Sequence, residues 1–254
     1  MKLTTFADRL DTRLETAAYR DVDASANGLQ VGPDEQELTH AAFAVDAADA
    51  TIEAACDAGA DVLVVHHGLS WGGIERVTDR AYSRIAALIE NDIALYVSHL
   101  PLDGHQTLGN AAGIASLLGL DTVEPFGSMG PVTIGQQGTL ETPVSTTSLS
   151  TTLETDLEGK KPIQVLDFGP TDTEHIAIVT GSGVDWLDEA REAGADTLIT
   201  GEGKQQVYHQ AREAELNVVL SGHYRSETTG VKALQQLVES WGLQTSYHSH
   251  PTGL

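Results

Sequence analysis

The chain is 254 residues long, 41% apolar and 5% aromatic, with 25 glycines and 8 prolines, enough for one large domain or two small ones with ordinary cores. Its single cysteine, Cys56, excludes an intrachain disulfide framework and a thiolate-rich zinc knuckle, and fits a reducing cytoplasm. Acids outnumber bases 37 to 14, for a net charge of -23, which argues against a nucleic-acid partner because counterion release needs clustered Lys and Arg.

No apolar run approaches the roughly 18 residues of a membrane span, and Met1 to Asp8 lacks the apolar stretch of a signal peptide, so no membrane partner and no processing are expected. Disorder, the other common meaning of high net charge, conflicts with the apolar content and its regular spacing. The acidic surface suits concentrated salt, where carboxylates are screened from one another. That halophilic reading concerns habitat and not chemistry.

In chain order, Ala41 to Val45 reads as a strand, Ala47 to Cys56 as a helix and Val62 to Val65 as a buried strand. Val77, Ala81, Ile85, Leu88 and Ile89 fall at helical spacing, Ile93 to Val97 is strand-like, and Leu108 to Leu118 is helical. From about Pro125 to Gly169 the pattern weakens into Gly, Thr and Ser, including Thr142 to Thr152, which marks a boundary or crossover. Alternation resumes with strand Ile176 to Val179, helix Val184 to Glu192, strand Thr197 to Thr200, helix Gln205 to Ala214 and strand Val218 to Leu220. Val231, Leu234, Leu237, Val238 and Trp241 mark a final helix. The expected architecture is α/β, with two similar lobes and mainly parallel sheets. The first lobe spans residues 1–124, completed by the C-terminal segment, and the second spans residues 125–254.

The two blocks repeat one another. Ala58-Gly59-Ala60-Asp61 precedes a strand that runs into His66-His67-Gly68, and Ala193-Gly194-Ala195-Asp196 precedes one that runs into Gly201-Glu202-Gly203. A second strand in each block ends in polar residues, Ser98-His99 and Ser221-Gly222-His223. Ligands in open α/β sheets collect at such carboxyl ends of strands.

Four clusters stand there: His66-His67-Gly68; His99 to His105; Gly201-Glu202; and Gly222 to Glu227. Imidazoles and carboxylates without thiols form a donor set for zinc, iron, manganese or nickel. Adjacent strand histidines point to opposite faces, so both serve one site only if the chain turns, for which Gly68 supplies freedom. His223 and Glu227 are four apart and share a helix face, and a glutamate can bridge two ions about 3.5 to 4 Å apart. Simpler roles stand beside these: Asp103-Gly104 is also an ordinary turn, Glu202 and Glu227 also suit the first turn of a helix, and Cys56 is a small core residue. Gly68-Leu69-Ser70-Trp71-Gly72 matches the G-x-S-x-G pattern, but no helix follows it directly, as a nucleophilic serine elbow requires. Gly181-Ser182-Gly183 is either a tight turn or a set of amides for an anion.

At these clusters the sequence resembles the Nif-three-like proteins, also known as GTP cyclohydrolase I type 2 homologues, in their short bacterial and archaeal form. The matching stretches are Asn27-Gly28-Leu29-Gln30-Val31-Gly32, His66-His67-Gly68, His99-Leu100-Pro101-Leu102-Asp103, Gly109-Asn110, Thr200-Gly201-Glu202 and Gly222-His223 through Glu227. Tyr224 stands where some relatives carry a second histidine. The resemblance implies two-lobed α/β proteins assembled as toroidal homohexamers, with a dinuclear metal centre inside the ring. It implies His66, His67, Asp103, His223 and Glu227 as ligands of two divalent ions per chain, zinc, iron or manganese, with Glu227 shared.

Two functions of different class follow from that resemblance. One is a metal-dependent hydrolase that uses a metal-bound water on a nucleotide-like substrate, a purine nucleotide by family implication. In it Glu202, His99 and His209, with His105, orient groups or carry protons, while Lys204 and Arg225 meet an anionic substrate. The other is a non-catalytic ring scaffold, or a metal storage or delivery protein.

Overall fold

The computed structural model describes residues 1–33 and 35–254. Its strands are β1 (Gly28–Val31), β2 (His40–Asp46), β3 (Val62–His67), β4 (Ala94–Val97), β5 (Asp121–Met129), β6 (Val132–Ser145), β7 (Gln164–Leu166), β8 (Asp172–Ile178), β9 (Thr197–Thr200), β10 (Asn217–Leu220) and β11 (Gln244–Tyr247). The helices are α1 (Leu3–Arg13), α2 (Asp49–Asp57), α3 (Asp79–Glu90), α4 (Leu100–Asp103), α5 (Asn110–Leu118), α6 (Thr146–Asp156), α7 (Leu187–Glu192), α8 (Val207–Ala214), α9 (His223–Ser226) and α10 (Thr228–Glu239). These form two compact units, Met1–Leu102 with Val231–His250, and Asp103–Gly230 with Pro251–Leu254.

The first unit is built on a five-stranded sheet of order β1-β4-β3-β2-β11, parallel except where β1 runs antiparallel to β4. The apolar run Val62-Leu63-Val64-Val65 is buried on both faces of β3, as a central parallel strand requires. Leu63, Val65, Leu95 and Val97 pack with Ile52 and Ala55 of α2, Leu88 of α3 and Ile93 just ahead of β4. Each such aliphatic burial contributes on the order of 1.5 to 3 kcal/mol before chain entropy is set against it. Elsewhere in this unit Phe6 of α1 meets Tyr96 and Trp241 edge to face, at 6.2 and 6.0 Å between ring centroids.

The second unit carries a six-stranded sheet of order β5-β6-β8-β9-β10-β7. Here the expected parallel arrangement holds only for β8-β9 and β9-β10, and β5-β6, β6-β8 and β10-β7 are antiparallel. The reason is local: only Gly130 and Pro131 separate β5 from β6, and so short a link permits an antiparallel hairpin but no crossover. Residues 125–169 therefore form most of this sheet's edge and not a boundary. The units divide at Leu102 and not near residue 124, because Ala111, Ile114 and Ala115 of α5 bury against Leu140, Leu149 and Ile176 of the second unit. Helix α6 arises from a Thr- and Ser-rich stretch, started by Ser145, whose hydroxyl accepts from the Ser148 amide at 3.2 Å.

In both units the polar residues follow the carboxyl ends of parallel strands. His66 and His67 close β3 and His99 follows β4, while Gly181, Glu202 and His223 follow β8, β9 and β10.

Candidate metal centre

In the first unit His66, His67 and His99 converge. Their ring centroids are 4.7 Å (His66 to His67), 5.1 Å (His66 to His99) and 5.7 Å (His67 to His99) apart, and one nitrogen from each lies within 4.8 Å of the others. Each ring is held through Nδ1 to an oxygen that only accepts: the Ser98 carbonyl for His66 at 2.9 Å, Asp46 for His67 at 2.8 Å and Asp23 for His99 at 2.9 Å. Nδ1 therefore donates in all three, and in the neutral ring this leaves Nε2 as the atom with a lone pair. A carboxylate or carbonyl behind each imidazole is the arrangement that orients metal-binding histidines and raises their basicity. His99, expected as a proton carrier, is thereby brought together with the two histidines as a third nitrogen donor.

Gly68 serves differently from the expectation. A Cβ at this position would lie 2.5 Å from Val97 Cγ2 and 2.6 Å from the Gln30 amide group, so glycine is required by close approach.

Asp23, which has no counterpart among the residues expected from sequence, anchors the His99 turn. Oδ1 accepts from the Ser25 amide and His99, and Oδ2 from Asn27 and the Leu100 amide, all within 2.8 to 3.0 Å. Burial pushes its carboxyl up, but the bonds from His99, Asn27 and Ser25 outweigh burial and hold it below the usual range. Asn27 in turn accepts from the His99 amide at 2.7 Å, and Gln30 Oε1 accepts from the amides of Leu69 and Ser70. The Asn27 to Gln30 motif thus positions two of the polar turns without offering a ligand itself.

In the second unit the donors are Asp103, Glu202, His223 and Glu227. A carboxylate oxygen of Asp103 lies within 4.8 Å of one of Glu227, and both side chains are buried. Asp103 Oδ1 accepts from Asn110 at 2.8 Å and from Thr180 at 3.0 Å. Asn110 is itself fixed by the Gly230 amide at 2.9 Å. Asp103 is thus more than the ordinary turn residue its Asp-Gly context allows.

His223 Nδ1 lies 3.1 Å from Glu202 and Nε2 lies 3.1 Å from Glu227. Burial pushes the imidazole down, but Glu227 and then Glu202 outweigh it and raise its pKa to about 9. A cation bound at Nε2 must therefore displace a proton. Glu202 is held below the usual carboxylate range by the Ser182 hydroxyl at 2.5 Å and by His223, against burial.

Gly181 has φ +59°, and a Cβ there would stand 2.6 Å from Glu227 Oε1. The amides of the Gly181-Ser182-Gly183 turn are directed inward: Gly181 N donates to Ser226 Oγ and Gly183 N to Thr200 Oγ1. The turn is therefore structural, and these two amides are committed to the protein's own oxygens.

Four expected contributors stand apart from these donor sets. His209 is exposed on α8, its ring edge-on to Tyr208 at 5.5 Å, because the helix turns that position outward. His105 Nδ1 accepts from the amides of Thr107 and Leu108 at 3.2 and 3.0 Å, a local turn bond. Lys204 pairs with Asp185 at 2.8 Å. Arg225 is buried and donates to the carbonyls of Ser221 and Lys161 at 3.0 Å, which ties down residues 159–161. Ser70 is buried and the next helix after it begins only at Asp79, so the G-x-S-x-G stretch forms no elbow.

Fold and site define an α/β protein whose strand ends present imidazole and carboxylate donors suited to divalent cations. The Duf34/NIF3 (NGG1p interacting factor 3) family matches residues 1–249, and the chain belongs to that family. It is 52% identical, over 100% of both chains, to a GTP cyclohydrolase 1 type 2 homolog of Halobacterium salinarum, and 36% identical, over 99% of both, to one of Escherichia coli strain K12. Among solved structures it resembles TTHA1606 from Thermus thermophilus, with a TM-score of 0.91 and 33% identity over 100% of both chains. The protein ybgI, described as of unknown function, matches at 0.90 and 33% over the same extent. No helix of the described residues is long and apolar enough to cross a membrane.

Proposed function

We propose that this protein is a hydrolase dependent on two divalent ions, held by His66, His67, Asp103, His223 and Glu227, and that it acts on a purine nucleotide. The observation that carries the reading is the common anchoring of His66, His67 and His99, each with Nδ1 tied to an accepting oxygen, which leaves Nε2 of the neutral ring as the donor atom. The buried carboxylates of Asp103 and Glu227 add the hard oxygen donors and the negative charge that zinc, iron or manganese require. The nucleotide substrate is carried over from the name shared by the relatives.

When bound, such ions supply Lewis-acid polarisation and acidify water towards neutral pH. The chain's own groups do the rest. Glu202, kept ionised by Ser182 and His223, takes a proton from the attacking water and returns it to the leaving group. The Asp23–His99 pair holds its imidazole in one orientation, with Nδ1 donating to the carboxylate. A homohexameric ring belongs to the same reading by resemblance, and the single cysteine, Cys56, supports a cytoplasmic setting.

The test is turnover of GTP and other purine nucleotides by protein loaded with zinc, iron or manganese, followed by chromatography. The hydrolase reading expects multiple turnovers and, in Glu202→Gln with its metal retained, a kcat lower by about 10² or more. Stoichiometric metal with no turnover across the panel would make the protein a metal-binding scaffold instead.

A further inference from the structure

The segment between β3 and α3 leaves the imidazole cluster and forms an open groove of about 670 Å³, lined among others by Gly68, Leu69, Trp71, Ile74, Arg76 and Arg80. That volume lies within the range that small-molecule sites occupy. Trp71 is 46% exposed and Ile74 48%, an unusual display of large apolar surface beside a charged cluster. The indole is nevertheless fixed: Nε1 donates to the Gly68 carbonyl at 3.2 Å, and the ring meets His99 edge-on at 4.9 Å and His67 at 6.0 Å. A rigid aromatic face is thus presented to solvent immediately next to two of the imidazoles.

The charges around that face are also informative. Arg84 is neutralised by Asp49 at 2.7 Å. Arg76 and Arg80 make no ion pair among the described residues, in a chain where acids outnumber bases 37 to 14. Glu75 and Asp79 line the same groove, which therefore also offers carboxylate acceptors. An aromatic plate, uncommitted guanidinium groups and a few carboxylates form the donor and acceptor set for a flat ring that bears N–H groups and an anionic substituent.

We propose that this groove is a binding site for a planar anionic heterocycle, with the ring stacked on Trp71 and the anionic group on Arg76 and Arg80. This deepens the nucleotide reading of the preceding section and rests on it for the choice of ligand class. Trp71 binds and orients the ring with its edge towards His67 and His99, and takes no part in proton transfer.

The probes are guanosine monophosphate and ribose 5-phosphate, titrated by calorimetry into chelator-treated protein, with metal content measured separately for each variant. The expected result is binding of the nucleotide at least tenfold tighter than of the sugar phosphate. Trp71→Ala should lose about tenfold or more for the nucleotide, and Trp71→Phe should restore most of it, since stacking needs only an aromatic face. Arg76→Ala with Arg80→Ala should weaken both probes, and none of these changes should alter metal content. Equal nucleotide affinity in wild type and Trp71→Ala, or no nucleotide binding by wild type at millimolar concentration, would overturn the proposal. Nucleotide binding that depends on Trp71, in wild-type protein that takes up no stoichiometric metal when incubated with zinc, iron and manganese, would sink the hydrolase reading while leaving the groove standing.

Discussion

His67 Nδ1 stands 2.8 Å from Asp46 Oδ1, and the two residues are register partners across β2 and β3. The sheet itself therefore sets the orientation of the imidazole, because the pairing that builds the strand end also brings the carboxylate behind the ring. Asp46→Asn keeps the side chain's size but removes the charge that favours the Nδ1–H tautomer. It is expected to weaken metal affinity by about 10- to 100-fold, read in a competition titration with a chelating dye, while the unfolding midpoint changes little.

Gly181 gives a second, sterically based expectation. Its φ of +59° and the 2.6 Å approach of a virtual Cβ to Glu227 Oε1 leave no room for alanine. Gly181→Ala should displace the Glu227 carboxylate and lower metal occupancy, whereas Gly194→Ala, which meets nothing within 4 Å at φ +78°, should cost only backbone strain. Metal analysis of the two folded variants separates the effects.

Asp61 and Asp196 occupy equivalent places in the two units. Asp61 Oδ2 accepts from the amides of Thr39 and His40 at 2.6 and 2.9 Å, and Asp196 Oδ2 from those of Glu174 and His175 at 2.9 Å each. In each case one carboxylate satisfies two amides just ahead of the residue at which the neighbouring strand begins its parallel pairing with the strand after the aspartate, Ala41 in β2 and Ile176 in β8. Asp61→Asn and Asp196→Asn should each lower stability by about 1 to 2 kcal/mol in chemical denaturation.

Asp61 also fixes a pH dependence. Burial pushes its carboxyl up, but the bonds from Thr39 and His40 outweigh burial and hold it below its ordinary 3.8. A depressed folded value means that the stabilisation is complete above the unfolded pKa and is lost as pH falls through the lower, folded one. The stability difference between wild type and Asp61→Asn should therefore be full at neutral pH and shrink below about pH 4.

The net charge of -23 predicts a salt response. Raising potassium chloride from about 0.1 M to 1 M shortens the screening length from about 10 to 3 Å, which relieves carboxylate repulsion and should raise the melting temperature. A melting temperature that falls, or stays level, over that range would remove the halophilic reading.

How much of this is legible in the chain follows from the kind of signal each element carries. Buried parallel strands announce themselves as runs such as Val62 to Val65 and Thr197 to Thr200, and the two Ala-Gly-Ala-Asp stretches reveal the repeat from the residues alone. The β5-β6 hairpin and α6 do not, since Gly-, Thr- and Ser-rich segments satisfy neither periodicity; their order comes from partners distant in sequence, such as Ile176 and Ile178. Within the site, residues at strand ends are readable because topology brings such ends together. Asp23 and Asp46 escape notice because a carboxylate behind an imidazole has no sequence spacing to mark it, and His209 misleads because a histidine on a helix is silent about which way the helix faces.

The central claim, a centre of two divalent ions, is tested most directly by metal content per chain, measured by plasma mass spectrometry in molar salt on wild type, His66→Ala and Glu227→Gln. Wild type should hold about two ions, and both variants should lose them with circular dichroism unchanged. Wild-type protein that binds no stoichiometric metal after incubation with zinc, iron and manganese would contradict the account and leave only the fold.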